Sequence, residues 1–174
     1  MVRRPPPMPT ILIDSNEKAH GYQYSFDGFP TQVANLETGD YSLDGFQDRC
    51  GVERKQKSDL WGCVGGGRRR FKDCLQRLGA MQSPAIVVES SLDEFAVKPD
   101  RTCLTPAQAV GSVISWAEEY RIPIFFCPSR AYAERVTLRW LMAFWRHKMR
   151  DGMTARQSAP RPTTTAPPGT TSTG

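Results

Sequence analysis

The feature that most constrains this chain is an uninterrupted apolar run at residues 84–88, which Glu89 follows directly. A strand with apolar side chains on both sides needs a covering layer on each face of its sheet. Two similar runs occur at residues 11–13, just before Asp14, and at residues 122–126. Stretches with apolar residues at helical spacing separate these runs. The pattern therefore predicts an α/β fold, in which a mixed β-sheet is flanked by helices on both faces.

Turn and capping residues predict how these strands are connected. Asp44 and Gly45 form a strong turn signal, which predicts an antiparallel hairpin between a strand at Tyr41 and a returning strand at residues 50–55. A further strand is expected at residues 32–37. Helices are expected after an N-cap at Ser58, from Arg68 to about Met81, after an N-cap at Thr105, and from Ser129 to about Arg150.

Apolar residues in the last two predicted helices indicate what these helices contact. In the helix after Thr105, the predicted core stripe is Val110, Val113, Ile114 and Ala117. In the last helix, the residues that fit one core stripe are Val136, Trp140, Leu141 and Phe144, which leaves Leu138, Met142 and Trp145 on another side. We expect a partner, in particular a second copy of this chain, to cover that side. The alternative is that a loop covers it.

Length and charge limit the class of protein. The 174 residues correspond to one domain, and 23 Lys and Arg against 18 Asp and Glu give a net charge of +5. The sequence has no apolar run of the roughly 20 residues that a membrane helix needs, and no signal-peptide pattern. None of the five cysteines forms a Cys-x-x-Cys pair. We therefore expect no membrane association, and a cytoplasmic location in a bacterium or phage-infected cell or a nuclear one in a eukaryote.

Composition also predicts the domain limits. Residues 159–174 consist mainly of Thr, Pro, Ser, Ala and Gly, which cannot bury enough apolar surface to become ordered. We expect a flexible start at residues 1–9, a folded domain at residues 10–150 and a disordered Thr- and Pro-rich tail at residues 151–174.

The charged residues of the predicted hairpin carry the chemistry. Twelve residues separate Asp40 from Glu53, Arg54 and Lys55, and Asp59 follows after three more. Strand alternation places Glu53 and Lys55 on one face, and the hairpin can bring Asp40 beside Glu53. Two adjacent carboxylates are unfavourable unless a proton or a divalent cation lies between them. The arrangement has the chemistry that metal-dependent phosphodiester hydrolysis needs, but the common reading of this spacing alone is a cross-strand ion pair.

Neighbouring charged residues extend this candidate site. Asp14 and Glu17 lie at and just past the end of the first strand, which is the edge of an α/β sheet where ligands usually bind. Arg54 points to the opposite face, where it can pair with an acid or reach a phosphate. Three glycines precede a run of three arginines. This run can contact phosphates, or it can be the solvent-exposed start of a helix. This run is Arg68, Arg69 and Arg70.

The hairpin motif, Gly39-Asp40 with Glu53-Arg54-Lys55 and Asp59, resembles the signature of the XPF-type nuclease family. These are structure-specific DNA endonucleases with a restriction-endonuclease-like fold of the PD-(D/E)XK type. The strand at residues 11–14 with Glu17, and the stretch at residues 67–71, are similar to other parts of that family. The resemblance covers about residues 10–147. The family often has Arg where this chain has Asn16.

The resemblance implies a role for each site residue. Asp40 and Glu53 would hold Mg²⁺, with Asp14 as a further metal ligand, and Mn²⁺ would substitute. Lys55 would orient or activate the attacking water. The residues that would complete or support the site are Glu17, Arg54 and Asp59, and those that would contact DNA phosphates are Arg68, Arg69 and Arg70.

The resemblance also implies a function. We expect a Mg²⁺-dependent DNA endonuclease that cuts flaps, forks or other branched DNA in repair, recombination or replication, and that dimerises through its C-terminal helix. The alternative is a catalytically inactive module that binds branched DNA and works through a partner. The sequence also allows a third function, a nuclease that cuts RNA.

Overall fold

The computed structural model describes residues 8–100 and 102–158, without the side chains of residues 152–158. Six strands form one sheet. They are β1 (Ile11–Asp14), β2 (Thr31–Ala34), β3 (Tyr41–Leu43), β4 (Cys50–Gln56), β5 (Ser83–Glu89) and β6 (Ile124–Phe126). Their order across the sheet is β2-β1-β3-β4-β5-β6. The expectations for residues 1–7 and 159–174 concern parts of the chain outside the described residues.

The sheet is mixed, as the sequence predicts. Strand β3 is antiparallel to both β1 and β4, whereas the other neighbouring strands run parallel. Strand β5 lies between β4 and β6, and its residues 84–88 are all buried. The predicted fold class is therefore confirmed.

Six helices accompany the sheet in the described residues. They are α1 (Ser15–Ala19), α2 (Lys57–Val64), α3 (Arg68–Gly79), α4 (Leu92–Phe95), α5 (Pro106–Glu119) and α6 (Arg130–Ser158). Residues of α2, α3 and α5 pack with Ile86 and Val88 on one face of the sheet. Residues of α6 pack with Ala85 and Val87 on the other face. In the part of the chain that the structure describes, none of these helices is long and apolar enough to cross a membrane.

Several element boundaries differ from the sequence-based expectations. Strand β2 ends at Ala34 rather than Glu37, and α6 continues past Arg150 to Ser158. The predicted cap at Ser58 is wrong, because α2 begins at Lys57 and Ser58 lies within its first turn. The predicted cap at Thr105 is confirmed, and its hydroxyl accepts a hydrogen bond from the amide of Gln108.

Two expectations about apolar faces also change. Ile114 is 64 % exposed, so it does not belong to the α5 core stripe. The buried positions there follow helical spacing at Ala109, Val113 and Trp116. In α6, three residues expected on a separate side are half-buried against the same core as Leu141 and Phe144, namely Leu138, Met142 and Trp145.

The loop of the β3–β4 hairpin covers part of α6. The ring of Phe46, from that loop, lies 5.3 Å from the ring of Phe144 and 5.9 Å from that of Trp145. Edge-to-face aromatic contacts of this kind stabilise a fold beyond the area that they bury. Part of the expected second side of α6 is therefore used within the chain.

Candidate active site

The backbone around Asp40 is fixed between two strands. Its amide donates to the carbonyl of Val52 at 2.8 Å, and its carbonyl accepts from the amide of Asp14 at 2.8 Å. The preceding Gly39 has φ of +81°, and a Cβ there would lie 3.3 Å from backbone atoms of Val52. Only glycine combines this left-handed conformation with such a close approach at no steric cost. Gly39 therefore allows the backbone of Asp40 to lie directly beside β4.

The carboxylate of Asp40 lies among other acidic groups. Its Oδ2 accepts a 2.6 Å hydrogen bond from the backbone amide of Arg54. Burial, followed by the negative charges of Glu53 and Glu17, raises the pKa of Asp40 well above its ordinary value. A cation near Asp40 and Glu53 would relieve this repulsion.

Glu53 and Lys55 lie on the face that the sequence predicts. In the register of β4 and β5 they lie opposite Ile86 and Val88, which belong to the α2, α3 and α5 side of the core. The Nζ atom of Lys55 lies 2.5 Å from Oε1 of Glu53. Burial lowers the pKa of Lys55, but the charges of Glu53 and Asp40 more than offset this and raise it. Lys55 is therefore an ammonium group at neutral pH.

A cleft of about 680 Å³ opens beside this pair. We call it the hairpin cleft, and the residues that line it include Glu53, Lys55, Asp59, Arg70, Phe71 and Arg77. It combines two carboxylates, an ammonium group and two guanidinium groups. Asp59 enters it from the exposed first turn of α2. The cleft therefore presents anionic groups to a cation and cationic groups to a phosphate.

Arg54 points away from the cleft. Its Nε and Nη2 atoms each lie 2.8 Å from a carboxylate oxygen of Glu89, and Nη1 lies 3.5 Å from Oε2 of Glu17. Its side chain is only 2 % exposed. Of the two predicted roles, the structure places Arg54 in an ion pair with acids inside the domain. Arg130 of α6 adds a 3.1 Å contact to Glu89.

The acids of β1 and α1 have different surroundings. Glu17 is buried, accepts a 3.4 Å hydrogen bond from the Tyr41 hydroxyl, and has a pKa raised by burial. Both carboxylate oxygens of Asp14 accept backbone hydrogen bonds at 2.9 Å, from the amides of Asn16 and Leu36. Asp14 thus caps α1 and holds the loop after β2. The structure brings Glu17 close to Asp40 and Glu53, while the Asp14 carboxylate has other partners.

The three arginines of the predicted run point in different directions from α3. Arg68 donates to the Ser112 hydroxyl at 3.0 Å and lies over the ring of Trp116, and Arg69 is exposed outside the hairpin cleft. Only Arg70 of this run lines the cleft, and Arg77 joins it.

Arg77 and Glu89 are site residues that were not predicted from the sequence. Arg77 lies seven residues after Arg70, which places both on one side of a helix. This spacing is a usable signal for Arg77. Glu89 ends an apolar strand at the sheet edge where ligands usually bind, and an acid at such a position needs a partner.

The donor groups fit a partly hydrated Mg²⁺ ion. In the described residues, no three His, Cys, Asp or Glu side chains form a complete metal cage. Mg²⁺ is usually held by only one or two carboxylates, together with waters and substrate phosphate. Asp40 and Glu53 match this pattern, and the raised pKa of Asp40 reflects negative charge that a divalent cation would compensate.

The six-stranded mixed sheet with helices on both faces has the fold of the XPF nucleases. Residues 13–139 match the ERCC4 domain, and the chain therefore belongs to the XPF family. A search of curated proteins finds no match to this chain.

Solved structures give the same fold. The chain is similar to XPF from Aeropyrum pernix, with a TM-score of 0.61, 18 % identity, and coverage of 78 % of this chain and 61 % of that one. It is equally similar to XPF from Aeropyrum pernix in complex with DNA, with a TM-score of 0.61, 18 % identity, and coverage of 79 % and 66 %. The chain thus spans three fifths to two thirds of the length of these proteins.

Proposed function

We propose that this domain is a metal-dependent DNA endonuclease that hydrolyses phosphodiester bonds with Mg²⁺, or with Mn²⁺ in its place. One observation carries this proposal: Glu53, Lys55 and two arginines share one cleft, beside the carboxylate of Asp40. Membership of the XPF family supports it. In this reading Asp40 and Glu53 hold the ion, and the backbone carbonyl of Arg54 is a further ligand. The bound ion would polarise the phosphate and lower the pKa of the attacking water.

The side chains of the cleft have separate roles in this proposed reaction. Lys55 is protonated, so it acts as a hydrogen-bond donor that orients the attacking water and stabilises negative charge on the phosphate oxygens. Arg70 and Arg77 bind the neighbouring phosphates. Glu17 adds negative charge beside Asp40, and Asp59 borders the cleft. We expect products with a 5′-phosphate and a 3′-hydroxyl.

We further propose branched DNA, such as flaps and forks, as the preferred substrate. The family resemblance supports this choice, as does the fact that a structural neighbour was solved in complex with DNA. We also propose a homodimer through α6, which the family resemblance implies. Sedimentation that detects only monomer at high micromolar concentration would exclude the homodimer.

Cleavage assays test the main proposal. Flap, fork, Holliday-junction, single-stranded and plain duplex DNA, together with single-stranded RNA, are incubated with Mg²⁺, Mn²⁺ or EDTA. We expect metal-dependent cutting of at least one branched DNA. Lys55→Ala should lower the rate by about 10²- to 10³-fold. Asp44→Asn, which removes an exposed acid from the turn of the same hairpin, is the matched control and should cut normally.

The remaining outcomes distinguish the alternatives. If no metal gives cleavage of any substrate but branched DNA still binds, the domain is an inactive DNA-binding module. If RNA is cut and DNA is not, the assigned substrate class is wrong. Unchanged activity in Lys55→Ala would contradict the proposed role of its ammonium group.

A further inference from the structure

Helix α6 carries a row of exposed arginines along one side. Arg135, Arg139, Arg146 and Arg150 are separated by four, seven and four residues, which places them within one narrow strip of a helix surface. All four are exposed. At a rise of about 1.5 Å per residue, the row extends over roughly 22 Å. We call this row the arginine stripe.

This helix carries most of the net charge of the chain. Residues 130–151 contain six basic and two acidic residues, a net charge of +4, compared with +5 for the whole chain. A strongly asymmetric distribution of this kind favours an anionic partner. The charge is not an average property of the surface, because it is concentrated on a single element.

Glu134, which lies next to Arg135 in α6, has its hydrogen bonds elsewhere. Glu134 accepts hydrogen bonds from the Ser25 hydroxyl and the Phe26 amide at 3.0 and 2.6 Å. Within residues 8–100 and 102–151, no carboxylate forms a salt bridge with Arg135, Arg139 or Arg146. Exposed guanidinium groups without a carboxylate partner are suited to binding phosphates.

The stripe and the hairpin cleft lie on opposite sides of the sheet. The α6 core residues Leu141 and Phe144 pack with Ala85 and Val87, whereas the cleft opens on the face of Ile86. The arginine stripe is exposed on α6, so the sheet and the core side of α6 separate it from the cleft. A straight DNA segment that lies along the cleft does not reach the stripe, but a branch can present a second arm to it.

We propose that the arginine stripe binds the sugar–phosphate backbone of a second DNA arm, while the arm to be cut occupies the hairpin cleft. This proposal rests on the proposed function, since it assumes a DNA substrate. Charge complementarity favours DNA over a second copy of the chain. A symmetric dimer centred on the stripe would place arginines against arginines, whereas phosphates neutralise them and release counterions.

Binding of a forked DNA in EDTA tests the stripe without any cleavage. The stripe variant combines Arg135→Gln, Arg139→Gln and Arg146→Gln. The control variant removes the same charge from exposed positions elsewhere, by Lys18→Gln, Lys98→Gln and Arg121→Gln. The slope of log K against log salt is negative, and we expect the stripe variant to reduce its magnitude by about 2 to 3. Each lost phosphate contact contributes about 0.9. The control should retain the slope of the unmodified protein.

The outcomes separate this proposal from the nuclease proposal. An unchanged slope in the stripe variant, or an equal loss in the control variant, would overturn it. Stripe-dependent binding to vesicles of phosphatidylserine and phosphatidylcholine, without an effect on DNA, would also overturn it. So would a stripe-dependent change in sedimentation without any effect on DNA. If the unmodified protein cuts nothing but the slope still falls, the stripe stands as a DNA-binding surface while the nuclease proposal fails.

Discussion

The backbone amide of Arg54 donates a 2.6 Å hydrogen bond to Oδ2 of Asp40, and the side chain of the same Arg54 forms a buried ion pair on the opposite face of the sheet. One residue therefore connects the candidate metal ligand with the interior of the domain. The two nitrogens that Arg54 directs at Glu89 hold its position on β4 in a bidentate contact. A loss of this ion pair should affect both stability and the placement of Asp40.

We expect Glu89→Ala to destabilise the domain by about 3–5 kcal/mol, because removing one partner leaves the Arg54 guanidinium buried without its main counter-charge. Glu89 also accepts a 3.0 Å hydrogen bond from the Tyr24 hydroxyl, which would lose its partner. Urea unfolding followed by tryptophan fluorescence measures the change.

Glu94→Ala is the control for this prediction. Glu94 is exposed and completes the capping box of the short helix α4, so its loss should cost much less than the loss of Glu89. Equal costs for the two variants would show that the buried ion pair does not stabilise the fold.

Gly39→Ala should destabilise the domain by more than Gly45→Ala. Both glycines have positive φ, at +81° and +78°, so both substitutions introduce backbone strain of about 1–2 kcal/mol. A Cβ at Gly39 would also lie 3.3 Å from Val52, whereas a Cβ at Gly45 would have no atom within 4 Å. Thermal unfolding compares the two variants. We also expect slower cleavage in Gly39→Ala alone, and equal effects would remove the proposed link between Gly39 and the placement of Asp40.

The sequence predicts those features of the site that depend only on the local geometry of one strand or one turn. Side chains alternate along a strand, so Glu53 and Lys55 must share one face while Arg54 takes the other. The Asp44-Gly45 turn predicts the hairpin. The pairing of Arg54 with Glu89 joins residues 35 positions apart, and it depends on how β4 and β5 lie in the sheet.

Other features could not be predicted because two physical roles share one sequence pattern. An acid at the end of a strand can bind a metal or cap the following helix, and Asp14 accepts the amide of Asn16 as a cap. Arg68 and Arg70 belong to one run, yet helical rotation directs Arg68 to Ser112 and Arg70 to the cleft. The direction of each arginine depends on the packing of α3 against α5.

Arg70→Gln and Arg77→Gln should each weaken binding of DNA in the hairpin cleft, because both residues line it. The loss of one phosphate contact should reduce the magnitude of the negative slope of log K against log salt by about 1. Arg69→Gln removes the same charge from an exposed position of the same helix, so it is the matched control. An equal change in all three variants would indicate a general effect of charge.

The stability of the metal-free domain should fall as the pH rises above the ordinary pKa of Asp40, which is 3.8. Burial and the charges of Glu53 and Glu17 raise the pKa of Asp40, so the native state keeps its proton at a pH where the unfolded chain has lost it. The native state then binds more protons, and the free energy of unfolding decreases through this pH range. Asp40→Asn removes the cost of the charge but retains an oxygen that accepts from the Arg54 amide. In EDTA, this variant should therefore gain stability relative to the unmodified protein as the pH is raised from 4 to 8.

Addition of Mg²⁺ at pH 8 should act in the opposite direction. The ion compensates the charges of Asp40 and Glu53, so the unmodified protein gains stability by ligand linkage, about 2.7 kcal/mol at a concentration of 100 times Kd. Asp40→Asn should gain much less, and it should not cut DNA. Parallel thermal unfolding of both proteins with Mg²⁺ and with EDTA provides the measurement. An equal gain in both proteins, or retained cleavage in Asp40→Asn, would contradict the assignment of Asp40 as a metal ligand.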